Sequence, residues 1–322
     1  MKKAVSDMVN LPEEAVRAKY SLPDDVRDWQ YPWALADLID HQNTHTVQPI
    51  SYRPFDNRYI YYSGCSRGFV GWPVEKVMGN FARGKNIGLA TARSNKNPVP
   101  DHFFVVDRMM ETKCAESSTQ SALFPLYIHP DEQDLDKTRR VNFESKLYKK
   151  LQKAAKHPEH GTPDEVQVFD YIYGILHCPA YRETYAEFLK IDFPRIPWPT
   201  TPDEFWHVSA KGVALRKLHL MEPAAIGQAH YPFTGEGDNE VGKLRFEDGR
   251  VWINDSQYFA DVPAVSWDFY IGGYQPAQKW LKDRKGRALS FDDVKHYQKI
   301  LKILSETDRI MHTITMGLTE SA

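Results

Sequence analysis

Hydrophobic residues follow two different rhythms along this chain. In the first half they come as short runs bounded by polar loops. Arg58–Tyr62, Asn86–Ala92, His102–Asp107 and Ala122–His129 have the length and the aromatic or β-branched content of strands. In the second half they recur at helical spacing. Val166, Phe169, Tyr173 and Leu176 share one face, and Tyr181, Tyr185, Phe188 and Leu189 continue it past Pro179. Phe205, Val208, Leu215 and Leu218 form a third stripe, and Val294, Tyr297, Leu301, Leu304 and Met311 a fourth. Ser21–Asp40 reads as an entry helix anchored by Trp29, Trp33 and Leu35.

Capping signals place the ends. Thr162-Pro-Asp-Glu165 and Thr201-Pro-Asp-Glu204 read as capping boxes with proline at the first helical position, and Ser290 with Asp293 starts the last helix. Asp248-Gly249 between Val241–Phe246 and Arg250–Asn254 predicts a two-residue hairpin. Strands and helices without regular βαβ alternation give an α+β fold. It has a β-rich N-terminal half of short strands and loops, then a largely helical C-terminal half containing one β-hairpin. The expected regions are a helical entry segment 1–45, a β-rich region 46–130, a charged linker or helical excursion 131–162, and a helical region 163–322 with the hairpin 241–254.

Composition narrows the class. The 322 residues carry a net charge of −2 and three cysteines, an odd number that fits no disulfide framework. The mean hydropathy of −0.56 and the absence of a long apolar run point to a soluble, cytoplasmic protein without a membrane partner. Charge is unevenly spread. Residues 52–113 hold ten Lys/Arg against five Asp/Glu, and residues 279–302 hold eight against three. Two basic segments on a near-neutral chain suit phosphate contacts, and equally suit two solvated faces.

Four stretches carry a family resemblance: Tyr52–Tyr62 (YRPFDNRYIYY), Ala122–Tyr127 (ALFPLY), Val168–Pro197 and Trp267–Ser290. In this order the chain resembles the C-terminal target-recognition (specificity) domain of Type ISP single-chain restriction–modification enzymes, which are adenine-specific DNA methyltransferases. The resemblance implies a domain that reads double-stranded DNA for an N6-adenine methyltransferase domain or subunit. Residues 1–45 would then be the linker from a methyltransferase domain absent here. The family's S-adenosylmethionine, ATP and Mg²⁺ belong to those absent domains, and no site for any of them is expected on this chain.

The residues agree with a non-catalytic part. Tyr231-Pro-Phe233 and Arg53-Pro-Phe55 are the nearest approaches to an adenine-binding Asn/Asp-Pro-Pro-Tyr/Phe loop, and neither has the polar side chain followed by two prolines. A Gly-rich phosphate loop ending in Gly-Lys-Ser/Thr does not occur. A competing reading is a Mg²⁺-dependent nuclease using Asp101, Glu111 and Lys113, with Asp131, Glu144 and Lys146 a weaker match to the same pattern. His157 and His160 have ligand-like spacing, and Cys178 follows His177 at a helix junction where packing is its expected role. A third reading is a protein-interaction module docking through Tyr171, Tyr173, Tyr181 and Tyr185.

Under the DNA reading, the polar loop Arg93, Ser94, Asn95, Lys96 and Asn97, closed by Pro98 and Pro100, is the candidate for base readout. Arg pairs with guanine and Asn with adenine in the major groove. Ser117–Gln120 is a second polar turn that could face the groove. Arg53, Arg67, Arg83, Lys85 and Lys113 are candidates for DNA-backbone contact, as are Lys282, Arg284, Lys285 and Arg287 before the last helix. Arg58 is expected to be the exposed partner of strand aromatics instead.

Overall fold

The computed structural model describes residues 1–41, 47–131 and 133–317. Its N-terminal helices, Lys2–Asn10, Glu13–Tyr20 and Tyr31–His41, gather around Met8, Val16, Tyr31, Ala34 and Leu38. Tyr61 and Phe69 join this small core from the next segment, so the helices are fastened to the first sheet. The entry helix is shorter than Ser21–Asp40. Ser21 takes a left-handed conformation (φ 50°) as the cap of the preceding helix, and the new helix begins only at Tyr31.

The strand Val47–Arg53 lies at the centre of a three-stranded sheet. It pairs antiparallel with Asp56–Tyr61, and its Ile50 and Ser51 pair parallel with Met109 and Met110. At the hairpin tip Phe55 (φ 64°) turns inward and meets the Phe104 ring edge-on at 5.3 Å. Its carbonyl accepts a hydrogen bond from His296 Nε2 at 2.8 Å, which ties the tip to the final helix.

A second sheet has Gly88–Ala92 in the middle, antiparallel to Phe104–Val106 on one side and Ser121–Pro125 on the other. Phe104–Val106 reads as a continuous apolar run because it is covered on both faces, as are Ala90 and Ala92 beside it, while Phe124 on the other edge strand stays exposed. The expected strand Ala122–His129 is broken at Leu126, and Tyr127–Ile128 leaves to pair with Arg140–Val141. Within 131–162 a helix, Ser145–Ala154, lays Tyr148 and Leu151 on the main core.

The helices Glu165–Leu176 and Pro202–His219 pack side by side, and Phe205, Val208, Leu215 and Leu218 all face inward. The first is capped by Asp164, not Thr162. Asp164 accepts from the Gln167 N–H at 2.8 Å while Gln167 reaches back to the Asp164 N–H. Ser290 caps its helix with the full box as read, whereas Thr201 accepts from the Glu204 N–H but Glu204 reaches back to the Thr200 N–H, so the box is only half formed. Asp248 and Gly249 both have positive φ (50° and 70°), as a tight hairpin turn requires. That hairpin belongs to a four-stranded sheet, completed by Phe233–Thr234 and Tyr258–Phe259, two-residue strands too short to read in sequence. Tyr171, Tyr173 and Tyr181 are at most 1% exposed and make up the core, so they offer no docking surface. No helix among the described residues is long and apolar enough to cross a membrane.

Candidate nucleic-acid interface

The loop 93–97 leaves the middle strand of the second sheet just where its neighbour enters, because Ala92 stands opposite Ser121. That register brings the loop against the turn at 116–119. The Lys96 N–H donates to Ser118 Oγ at 2.9 Å, and Thr119 Oγ1 donates to the Ser94 carbonyl at 2.5 Å. Beneath both turns lies Glu116, fully buried. Its carboxylate accepts from Asn97 Nδ2 at 3.0 and 3.1 Å, from the Ser118 N–H at 2.7 Å and from the Ser118 hydroxyl at 2.6 Å.

A third segment, distant in sequence, closes this platform. Gly272 and Gly273 both have positive φ (57° and 73°). The Gly272 carbonyl accepts from the Ser117 N–H at 2.8 Å, and its N–H donates to the Asp101 carbonyl at 3.2 Å. A Cβ on Gly272 would collide with the Ala115 carbonyl, and one on Gly273 with the side chains of Asn97 and Ser117.

The five loop residues divide into two sets. Arg93 is exposed and pairs with Asp192 at 3.2 Å, while Ser94 and Lys96 face solvent. Asn95 is buried: its N–H donates to the Lys190 carbonyl, its Oδ1 accepts from the Asn97 N–H, and its amide donates to His102 Nδ1. Asn95 and Asn97 are therefore struts, and Arg93, Ser94 and Lys96 are the groups presented outward. Below them burial pushes the Asp101 carboxyl up to about 6 and holds His102 down to about 4. Arg182, half-buried, faces Asp101, and desolvation lowers it to about 10.

A line of cations runs outward from the platform. Lys113 Nζ donates to the Ser117 carbonyl at 3.3 Å, and the Lys113 carbonyl accepts from Tyr274. Arg53 pairs with Glu111 and stacks on both Tyr52 and Tyr274, 4.0 and 5.4 Å from the ring centres. Arg58 lies on the same Tyr52 ring at 3.6 Å. From there it bonds Asp56 at 3.0 Å and reaches Asp283 at 3.5 Å. Arg284 is laid on Trp280 at 3.5 Å and bonds Asp56 at 3.1 Å. Lys282, Lys285 and Arg287 are exposed at the end of this line, Arg287 paired with Asp293.

Three candidates lie outside it. Arg67 is exposed near Trp33, Arg83 pairs with Glu75, and Lys85 is exposed next to the strand Gly88–Ala92. Sequence reasoning missed the organisers, Glu116 and Gly272-Gly273, and set Arg58 aside. The consecutive glycines within YIGGYQ were the available signal.

The alternative sites have other occupations. Asp101 faces Arg182 and the Gly273 backbone, whereas Glu111 is bound by Arg53 and by the Lys113 N–H. Glu144 caps the helix Ser145–Ala154 through the Leu147 N–H. His157 Nδ1 accepts from the Glu159 and His160 N–H groups, and its Nε2 bonds Asp203 at 3.0 Å.

The fold is shared with solved structures, three of which follow. The DrdV–DNA complex superposes with a TM-score of 0.71 at 20% identity, over 98% of this chain and 33% of that one. The ATP-dependent Type ISP restriction–modification enzyme LlaBIII bound to DNA gives 0.66 at 16%, over 99% and 22%. A nuclease-deletion mutant of the Type ISP enzyme LlaGI in complex with a DNA substrate mimic gives 0.62 at 15%, over 99% and 30%. The chain thus spans a third or less of each of these proteins. No curated protein matches it. The family description that does match covers residues 1–313, essentially the whole chain, which belongs to the Type ISP C-terminal specificity domains.

Proposed function

We propose that this chain recognises a DNA target for an N6-adenine methyltransferase–restriction system and contributes no catalytic group of its own. Membership of the specificity-domain family supports the reading, as do the structural neighbours whose names place them on DNA. The observation that carries it is the platform. Two polar turns and a glycine pair are locked by a buried carboxylate, so that Arg93, Ser94 and Lys96 are held outward on a rigid base. Arg93 is placed for bidentate recognition of guanine, with Ser94 and Lys96 for base acceptors or phosphates. Asn95 and Asn97 act by fixing the loop. Lys113, Lys282, Lys285 and Arg287 set register on the phosphate backbone, with Arg53 and Arg284 holding the aromatic supports beneath. Arg67, Arg83 and Lys85 serve backbone contact on a wider footprint. S-adenosylmethionine, ATP and Mg²⁺ act on the methyltransferase and motor parts, and the methyltransferase flips the adenine presented to it.

The test is fluorescence anisotropy of the purified chain on random duplex DNA over a salt series. Affinity that falls steeply with salt is expected, the slope counting phosphate contacts. Absence of binding at low salt, both for the chain alone and for the chain joined to a methyltransferase domain, would overturn the reading.

A further inference from the structure

Beside the platform, the chain turns sharply after the short helix Ala186–Leu189. Leu189 is buried, and the N–H groups of Ile191 and Asp192 both donate to the Phe188 carbonyl, at 3.0 and 3.1 Å. Downstream, Phe193 meets the Phe124 ring edge-on at 5.3 Å, and the Arg195 carbonyl accepts from the Tyr181 hydroxyl at 2.8 Å. The turn 190–192 is thus fastened on both sides. It is also fastened to the proposed reading loop, because the Asn95 N–H donates to the Lys190 carbonyl at 3.1 Å.

Asp192 ends this turn with a carboxylate that is only half used. Oδ1 accepts from the Phe193 N–H at 2.9 Å and from Arg93 Nε at 3.2 Å. Among the described residues no hydrogen bond reaches Oδ2, and the side chain is 40% exposed, so that oxygen is open to a donor from outside. Other cations of this stretch are engaged: Lys190 pairs with Glu187 at 2.9 Å, and Arg195 lies over the Phe188 ring at 4.9 Å. Because Asp192 takes the Arg93 Nε, the terminal fork of the guanidinium stays free for the two acceptors of guanine. An exposed pair of this kind adds little to folding, so its removal leaves the fold intact.

We propose that Asp192 is a second base-reading residue, which accepts a hydrogen bond from the N4 amino group of a cytosine in the base pair next to the guanine bonded by Arg93. The inference rests on the DNA reading given above. A free carboxylate oxygen can only accept, and in the major groove cytosine offers a donor with no acceptor beside it on the same base. Adenine N7 and the carbonyl oxygens of guanine and thymine would face the carboxylate with like partial charge. Spacing places the two groups on neighbouring pairs. Arg93 Nε and Asp192 Oδ1 are 3.2 Å apart, close to the ~3.4 Å rise from one base to the next. A carboxylate here also repels phosphate, so Asp192 raises selectivity while lowering general affinity.

The experiment selects binding sites from random duplex DNA with the full chain as wild type, Arg93→Ala, Asp192→Asn and Asp192→Ala, and then measures each on the selected duplex by fluorescence anisotropy. Wild type is expected to select a guanine with a cytosine in the adjacent pair. Arg93→Ala should lose the guanine. Both Asp192 variants should lose the cytosine, keep the guanine, and bind random duplex more tightly than wild type. Changing the C·G pair to T·A should weaken wild type about tenfold and leave Asp192→Ala nearly unaffected. Urea midpoints equal to wild type verify that the variants are folded. A side chain that merely steadied Arg93 would move only the guanine position. Loss confined to that position, or no loss in either Asp192 variant, would overturn this inference and leave the recognition reading standing. A wild type that selects no sequence, alone or joined to a methyltransferase domain, would overturn both.

Discussion

Asn97 hangs from Glu116: its amide nitrogen lies 3.0 and 3.1 Å from the two oxygens of a carboxylate that no solvent reaches. The loop proposed to read DNA is thereby fixed from below. Glu116→Ala leaves the Asn97 amide, the Ser118 N–H and the Ser118 hydroxyl without their acceptor. A buried group left unpaired costs ~1–3 kcal/mol, so the urea midpoint should drop well below wild type. At a temperature where the variant stays folded, base preference should fall while the salt slope of binding is kept. Urea unfolding and anisotropy on specific against random duplex check both.

Arg93 and Lys96 should behave oppositely to Glu116. Both are exposed, so replacing either with Ala should change stability by no more than about 0.5 kcal/mol. Arg93→Ala should relax discrimination at one base position by ~1–3 kcal/mol. Lys96→Ala should weaken binding to all sequences alike and lower the salt slope by about one. A selection of binding sites from random DNA distinguishes the two.

Gly272→Ala should fail where most surface glycines tolerate a methyl group. The residue sits at φ 57° and its added carbon meets the Ala115 carbonyl. The cost combines backbone strain of ~1–2 kcal/mol with displacement of the platform. Thermal unfolding and binding preference should worsen together.

Acid should destabilise the fold through histidines in the main core. Burial holds His102 down to about 4, His219 to about 3, and His177 well below the ordinary range. These rings stay neutral when folded and take up protons when unfolded. Their contribution is fully present above about 6.5 and is lost as pH falls toward 4 and below, each tenfold weakening of proton affinity on folding being worth ~1.4 kcal/mol. Asp101 works the other way: raised to about 6, it stabilises most at low pH and that contribution is lost as pH rises through 6. His296 is lowered and Asp170 raised in the same way, so four imidazoles stand against two carboxyls and the urea midpoint should be lower at pH 5 than at pH 7. His219→Gln, which removes a ring held between Tyr173 and Thr307, should flatten that slope.

Periodic segments were legible in the sequence because one repeated spacing serves one buried face. Phe205, Val208, Leu215 and Leu218 show this, as does the Asp248-Gly249 turn, whose chemistry is local. Ser21–Asp40 misled, because its anchors satisfy helical spacing while Ser21 is spent terminating another helix. The two polar turns could be found as loops, but their union could not: it follows from Ala92 facing Ser121, a register no local pattern encodes. Glu116 was illegible for a related reason. A lone acidic residue among serines reads as surface, and only the convergence of three donors makes it interior. Asn95 and Asn97 likewise look like recognition residues until their partners are in view.

The platform is assembled from three stretches, near 95, 117 and 272, standing on one core that both halves of the chain share. Such a frame resists exchange of any contiguous cassette. A segment borrowed from a relative would arrive without the glycines or the carboxylate that its partners need. If the proposed readout holds, new target sequences should be reached by point changes at Arg93, Ser94 and Lys96 on an inherited scaffold, so diversification among relatives should concentrate at those outward positions while Glu116, Gly272 and Gly273 stand still.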